Sequence, residues 1–164
     1  MASPGHRRLL RDFKKLTADV INGLHAAPVG DNLFQWSAVV FGPAGTPWEG
    51  GVWKLVLNFP PEYPDRPPTV RFTSEVFHPS VRPDGEVLLE ILNIASWSPA
   101  CEVADILVAV QALLVEPAPE GAANPDAEQL LRQDRHQYNA RIKALVDKQI
   151  DQDDKDMGCL SAVP

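Results

Sequence analysis

Five prolines lie within residues 60–68, and this cluster constrains the fold more than any other stretch of the chain. Proline has no amide hydrogen and fixes its own φ angle, so the cluster excludes both a helix and a central β-strand. An irregular segment is therefore predicted here, with regular elements on either side of it. The five are Pro60, Pro61, Pro64, Pro67 and Pro68.

A helix and three strands are predicted around the proline cluster. Ser3 followed by Pro4 suits the start of a helix, and apolar residues recur after it with helical spacing. Side chains alternate between two faces along residues 33–40 and 53–59, and residues 69–72 form a third short run, as strands require. Because the connecting turns are brief, an antiparallel meander is the expected pairing.

Two helices are predicted to close the chain. An apolar stripe over residues 103–114 indicates a nearly buried helix, which Pro117 would end. Asn124 and Pro125 then supply a cap and a first-turn proline for a single last helix, whose packed residues extend over 130–146.

The chain beyond Ile150 differs in composition from the rest. It is rich in Asp, Gln and Lys and has no core-forming period. The sequence therefore predicts one core domain at residues 1–150 and an acidic, flexible tail at residues 151–164.

Composition excludes several classes of protein. The net charge of −7 disfavours general binding to nucleic acid, which usually needs a basic surface. Cys101 and Cys159 lie far apart without metal-ligand spacing, so no disulfide framework, metal site or cofactor is expected. Residues 1–20 are too charged for a signal peptide, and no apolar run approaches the ~20 residues that span a bilayer. A cytoplasmic or nuclear protein without a membrane partner is expected.

Five motifs follow one another in an order typical of a single family. The chain resembles the ubiquitin-conjugating enzymes from about Arg7 to Lys148, and RRLLRDFKKL at its start is most similar to the DNA-repair and histone-modifying branch. The resemblance implies an α+β fold, with a four-stranded antiparallel sheet, an amino-terminal helix and carboxy-terminal helices. The motifs are FGPAGTPWEGG at 41–51, YPDRPPTVRF at 63–72, FHPSVRPDG at 77–85, LLEIL at 88–92 and WSP at 97–99.

The same resemblance implies a departure at the reactive position. The family transfers ubiquitin through a thioester on the cysteine that follows its G-x-V motif, and here that residue is Leu88. A leucine has no lone pair with which to attack a carbonyl, so no pKa shift could activate it. A second interpretation is that Leu88 extends the apolar packing of its neighbours, which is compatible with a loss of catalysis.

Two further positions match the family's catalytic surroundings imperfectly. Ser80 stands where the family's His-Pro-Asn motif has an oxyanion-supporting asparagine, and Gly121 matches a position that often holds an Asp or Ser orienting the incoming lysine. Glu90 retains an acidic group near the altered site, and His78 matches the family's structural histidine. Together the changes predict a variant without catalytic activity.

The resemblance also assigns partner-binding residues. Arg8, Arg11, Lys14 and Lys15 match the helix that docks the activating enzyme and, in part, ligases, while Pro99 and Ala100 match a ligase-contacting loop. On the other ligase loop, Asp65 replaces a commonly hydrophobic residue. The expected partners are ubiquitin or a ubiquitin-like protein, a ubiquitin ligase or an active conjugating enzyme, and the activating enzyme.

Three functions stay open on the sequence. The favoured one is a non-catalytic binding and regulatory module of the ubiquitination pathway. The second is an active conjugating enzyme with a displaced nucleophile, for which Cys101 is a weak candidate and Cys159 in the tail a weaker one. The third is a diverged domain with no role in ubiquitin transfer, since a fold does not guarantee a function.

Overall fold

The computed structural model describes residues 3–18, 23–117 and 123–161. Helix α1 comes first, and four strands, a 3-10 turn and three further helices follow it along the chain. The elements are α1 (Pro4–Ala18), β1 (Leu24–Val29), β2 (Asn32–Phe41), β3 (Val52–Asn58), β4 (Thr69–Phe72), the 3-10 turn (Glu90–Leu92), α2 (Val103–Val115), α3 (Pro125–Gln133) and α4 (Arg135–Ser161).

The four strands form one antiparallel sheet in the order β1-β2-β3-β4, which confirms the predicted α+β fold. Strand β1 was missed by the residue pattern, because HAAPV offers small side chains and a proline instead of a β-branched alternation. Pro28 is tolerated because β1 is an edge strand, and the register of β1 on β2 shifts between Pro28 and Val29.

The core lies on one face of the sheet. Trp36 and Trp53 are fully buried on the central strands, and the helices cover them. Phe13 of α1 meets Trp36 edge-on with ring centroids 5.8 Å apart, and Trp48 meets Trp53 in the same way at 4.9 Å. Such pairs add to the burial of large apolar surface, so α1 is held against the sheet by aromatic packing.

The carboxy-terminal helices differ from the predicted single helix. Asp134 interrupts it with an extended backbone, at φ −153° and ψ 90°. The Asp134 carboxylate accepts the amide hydrogen of Gln137 at 3.2 Å, as a helix-capping aspartate does, so a new helix starts at Arg135. The single-helix prediction is wrong because this capping interaction competes with continuation of α3.

Helix α4 continues through Ser161, so the acidic residues 151–161 extend a regular helix, and the flexibility expected of residues 151–164 stays a prediction. Adding residues to an existing helix avoids the cost of nucleation, and residues 151–157 contain no proline or glycine. The domain limit at residue 150 stays a prediction. Within the described part of the chain, no helix is long and apolar enough to cross a bilayer.

Candidate functional site

The Leu88 loop, defined as residues 85–92, is attached to the end of the sheet by a glycine turn. Gly85 has φ +99°, and a Cβ atom added there would lie 2.2 Å from the carbonyl oxygen of Phe72. The amide of Phe72 donates to the Gly85 carbonyl at 2.8 Å, and that of Val87 donates to Val70 at 2.9 Å. Only glycine fits this close approach without strain, and the turn directs the chain from β4 towards Leu88.

Leu88 itself points outwards. Its side chain is 40% exposed, whereas that of the preceding Val87 is 4% exposed and lies in the core. The amide of Leu88 donates to the carbonyl of Ser80 at 2.8 Å, which fixes the backbone at this position. This exposure disfavours the interpretation of Leu88 as an added packing residue, because alternation along an extended segment gives the buried place to Val87.

His78 organises the segment that faces Leu88. The ring is fully buried, with Nε2 2.8 Å from the carbonyl oxygen of Leu113 and Nδ1 accepting the amide hydrogen of Ser80 at 2.9 Å. One donating and one accepting nitrogen describe a neutral imidazole. Burial lowers the pKa of His78 to about 4, although the Leu113 hydrogen bond opposes this shift. The ring therefore holds the Ser80 backbone and is a poor base at neutral pH.

The hydroxyl of Ser80 has no hydrogen-bond partner within the described chain. The residue is 1% exposed and its Oγ is buried, while its backbone carbonyl receives the Leu88 amide. The amide of Asn124, which caps α3, donates to the neighbouring carbonyl of Pro79 at 3.1 Å. The start of α3 is thus brought to this segment.

Of the remaining predicted site positions near Leu88, the structure describes Glu90. Glu90 is exposed at the start of the 3-10 turn, and its carbonyl accepts the Asn93 amide at 3.0 Å. Gly121 lies outside the described residues. No group of histidine, cysteine and carboxylate side chains that could hold a metal ion occurs in the described part of the chain.

The four predicted basic docking residues of α1 are not equivalent. Arg11 and Lys14 are exposed, and Lys15 makes a surface ion pair with Glu102 at 2.7 Å. Arg8 instead has a side chain only 11% exposed and is bonded to the interior. Two of the four therefore remain fully available to a partner in this structure.

Arg8 belongs to a polar cluster, termed here the α1 junction, which comprises Arg8, Asp12, Tyr63 and the backbone of residues 99–103. Arg8 Nε pairs with Asp12 Oδ1 at 3.1 Å, and Asp12 Oδ2 accepts from the Tyr63 hydroxyl at 3.2 Å. Burial and the Asp12 carboxylate raise the pKa of Tyr63, so the hydroxyl stays a proton donor. Sequence analysis missed Asp12, although a carboxylate three residues after the core residue Leu9 and four after Arg8 was an available signal.

Pro99 and Ala100 are exposed, as is Asp65 on the other predicted ligase loop. The two loops are physically connected, because the Trp97 indole donates to the carbonyl of Pro64 at 2.7 Å. The structure thus brings together the partner positions that sequence analysis placed on separate segments.

Cys101 lies half-buried between these loops and α2. Its thiol makes only a long contact, 3.8 Å, to the carbonyl of Glu102. Burial raises the pKa of Cys101, and the Asp105 carboxylate raises it further. A nucleophilic cysteine needs the opposite shift, because the thiolate is the reactive form. The side chain of Cys159 lies outside the described part of the structure.

A separate groove of about 690 Å³ lies between the β2–β3 connection and α4. Its walls include Pro47 and Glu49 on one side and His136 and Asp147 on the other. None of the predicted site residues lines it, so it is distinct from the Leu88 loop.

Comparison with known proteins fits this geometry. The model of the ubiquitin-conjugating enzyme family matches residues 8–146. The chain belongs to this family. It is 48% identical over 147 residues to ubiquitin-conjugating enzyme E2 2 of Mycosarcoma maydis, covering 90% of this chain and 79% of that one. It is 47% identical over 148 residues to ubiquitin-conjugating enzyme E2 1 of Caenorhabditis elegans, covering 90% and 77%.

Proposed function

We propose that this member of the ubiquitin-conjugating enzyme family is non-catalytic and acts as a binding and regulatory module in protein ubiquitination. The observation that carries the proposal is Leu88, which occupies the place after the G-x-V motif where the family's nucleophile is expected. Its side chain is 40% exposed, so a cysteine there would be accessible, but leucine cannot form a thioester.

The surroundings of Leu88 support the same proposal. A thioester-transfer site needs donors directed at the developing oxyanion. The Ser80 hydroxyl is buried, and the Ser80 carbonyl already accepts the Leu88 amide, so that amide is not free to donate elsewhere. The neutral His78 ring is committed to two backbone groups.

A displaced nucleophile has little support. Cys101 has a raised pKa, whereas family chemistry at neutral pH requires an accessible thiolate. Its neighbours Glu102 and Asp105 are acidic and add to the unfavourable shift. We therefore place no thioester on Cys101.

The partners we propose are ubiquitin or a related modifier, a ligase or active conjugating enzyme, and the activating enzyme. Exposed Arg11 and Lys14 give α1 a local positive charge in a chain whose net charge is −7. A local basic surface can steer an acidic partner despite an acidic whole. The relation to the DNA-repair and histone-modifying branch, and a location in the cytoplasm or nucleus, belong to the same proposal.

A thioester-charging assay tests the absence of catalysis. The unaltered chain and Leu88→Cys would be incubated with ubiquitin, ATP and the activating enzyme, and the products compared with and without reducing agent. We expect no reducible adduct on the unaltered chain and a reducible adduct on Leu88→Cys, because the exposed position would then hold a thiol.

Two cysteine variants identify the residue that carries any unexpected thioester. Cys101→Ser and Cys159→Ser would be charged in parallel with the unaltered chain. A reducible adduct on the unaltered chain that disappears in either variant would refute the non-catalytic assignment. Titration of ¹⁵N-labelled ubiquitin with the unaltered chain then separates a ubiquitin-pathway module from a diverged domain, since the latter would leave the ubiquitin spectrum unchanged.

A further inference from the structure

Three of the five N–H groups of the Arg8 guanidinium donate to acceptors within the protein itself. Its Nε donates to the Asp12 carboxylate at 3.1 Å, one terminal nitrogen donates to the carbonyl of Pro99, and the other donates to that of Cys101 at 2.9 Å. Both loop carbonyls lie about ninety residues away along the chain. Arg8 therefore ties α1 to the segment of residues 98–102, which we call the partner loop.

The carboxylate of Asp12 extends the same connection. With a side chain that is 0% exposed, it accepts from the Tyr63 hydroxyl at 3.2 Å and from the amide of Val103 at 3.3 Å. One buried ion pair thus contacts the proline-rich segment, the partner loop and the first residue of α2. A buried charge needs such a complete set of partners to be tolerated.

The partner loop has few other long-range restraints among the described residues. Its own hydrogen bonds are local: the Cys101 amide donates to Ser98 at 2.9 Å, and the Ala100 amide donates to the Ser98 hydroxyl at 3.3 Å. Pro99 and Ala100 are exposed. The fork of Arg8 and the Lys15–Glu102 pair at the surface are what attach the loop to α1.

We infer that Arg8 is a positioning residue that sets the conformation of the partner loop, and that it does not itself contact the partner. This inference rests on the proposed binding function, because that function gives the loop its role. It replaces the sequence-based assignment of Arg8 to the docking surface. A lysine could keep the charge beside Asp12 but could not reproduce three donors in a planar fork.

The thiol of Cys101 provides a probe of loop conformation. In a Cys159→Ser background, Cys101 is the only cysteine of the chain. Its alkylation by iodoacetamide would be followed from pH 7 to pH 10 and fitted to a single titration, because the fitted limiting rate reports access to the thiolate separately from the raised pKa of Cys101. We expect Arg8→Lys to raise the limiting rate about fivefold or more, as a locally loosened segment should.

Arg7→Lys is the matched control, since it is the same substitution at the neighbouring, exposed arginine of α1, which is not among the predicted partner-binding residues. We expect it to leave the limiting rate within about twofold, in line with other surface changes. Thermal unfolding of each variant would be recorded alongside, and Arg8→Lys retains a positive charge next to Asp12, which protects the fold.

A binding measurement separates positioning from direct docking. Calorimetric titration with a RING ligase domain that binds the unaltered chain would be repeated with Arg8→Lys and Arg7→Lys. If Arg8 contacted the partner directly without holding the loop, Arg8→Lys would leave the Cys101 alkylation rate unchanged, whatever it did to the affinity. Because we assign Arg8 to positioning, Arg8→Lys should both raise the alkylation rate and weaken binding about tenfold, while Arg7→Lys should have a smaller effect on each.

The outcomes are distinct. An unchanged Cys101 alkylation rate in Arg8→Lys would overturn the inference, as would faster alkylation accompanied by unchanged ligase affinity. If no RING domain binds the unaltered chain, the proposed partner function fails, while the alkylation rates still decide whether Arg8 holds the loop.

Discussion

The Leu88 loop and the α1 junction both contain residues of the motifs that match the family, but the first exposes its side chain and the second buries an ion pair. The Leu88 loop directs a side chain without hydrogen-bonding capacity towards solvent. The α1 junction buries an arginine–aspartate pair and satisfies it with a hydroxyl and backbone groups from three other segments. A substitution of the exposed Leu88 should leave the fold intact, whereas the fold requires the buried Arg8–Asp12 pair.

This contrast shows that a residue within a matched motif can be required by the fold or by the function. Asp12 and His78 are buried residues whose side chains the interior needs, whatever the protein does. Leu88 is partly exposed, so the interior restricts its identity less and function can restrict it more. Three measurements would sharpen or break the contrast.

The largest effect is expected from Asp12→Asn. The substitution removes the negative charge and leaves the Arg8 guanidinium in a largely buried site without its counterion. Breaking one partner of a buried pair typically costs about 3–5 kcal/mol, and we expect a loss of about 3 kcal/mol in the free energy of unfolding measured in urea.

Lys148→Ala is the control for Asp12→Asn. It breaks the Lys148–Glu75 pair, whose side chains are 73% and 66% exposed, and should cost less than about 1 kcal/mol. If Asp12→Asn were no more destabilising than this surface change, the α1 junction would not be a requirement of the fold.

The second effect is a pH dependence that originates at His78. Because burial lowers its pKa from 6.5 to about 4, the unfolded chain binds a proton more readily than the folded one. The stabilisation that depends on a neutral His78 ring is fully present above pH 6.5 and is lost as the pH falls towards 4. Over this range the free energy of unfolding should fall by at most about 1.4 kcal/mol per pH unit.

Urea unfolding at pH 7, 5.5 and 4.5 would measure this slope in the unaltered chain and in His78→Gln. Glutamine can donate and accept as the neutral ring does but does not titrate in this range. The stability difference between the two proteins should shrink as the pH falls. A difference that is independent of pH would show that the ring is not held neutral by its burial.

The smallest effect is expected at Leu88. Leu88→Ala removes a 40% exposed side chain and should change the free energy of unfolding by about 0.5 kcal/mol or less. Val87→Ala removes methyl groups from a side chain that is 4% exposed and should cost about 2 kcal/mol. Equal costs at the two neighbours would mean that Leu88 is a packing residue after all.

Hydrophobic alternation and helical spacing predicted β2, β3, β4, α1 and α2, because these elements bury a regular apolar face. Strand β1 was not predicted, because its alanines give little hydrophobic alternation and Pro28 disfavours a strand. The break between α3 and α4 at Asp134 was not predicted either, because a capping aspartate and a solvent-facing helical aspartate look alike in sequence.

The site was predicted less completely than the fold. Resemblance placed Leu88, Ser80 and His78 in one neighbourhood, and hydrogen bonds connect them in the structure. It grouped Arg8 with the exposed basic residues, because charge alone does not tell a solvated arginine from one whose fork is occupied by carbonyls. Long-range backbone acceptors have no signature in the sequence, so this distinction required coordinates.

The glycine turn at residue 85 bears on how such a chain diverges over time. A side chain at Gly85 would collide with the carbonyl of Phe72, so mutations there are removed by selection for foldability even where no reaction is under selection. The buried His78 is under the same pressure. A lineage that abandons thioester chemistry would therefore keep the recognisable frame of an active site, and the loss would be recorded at positions such as the exposed Leu88, which that frame does not require.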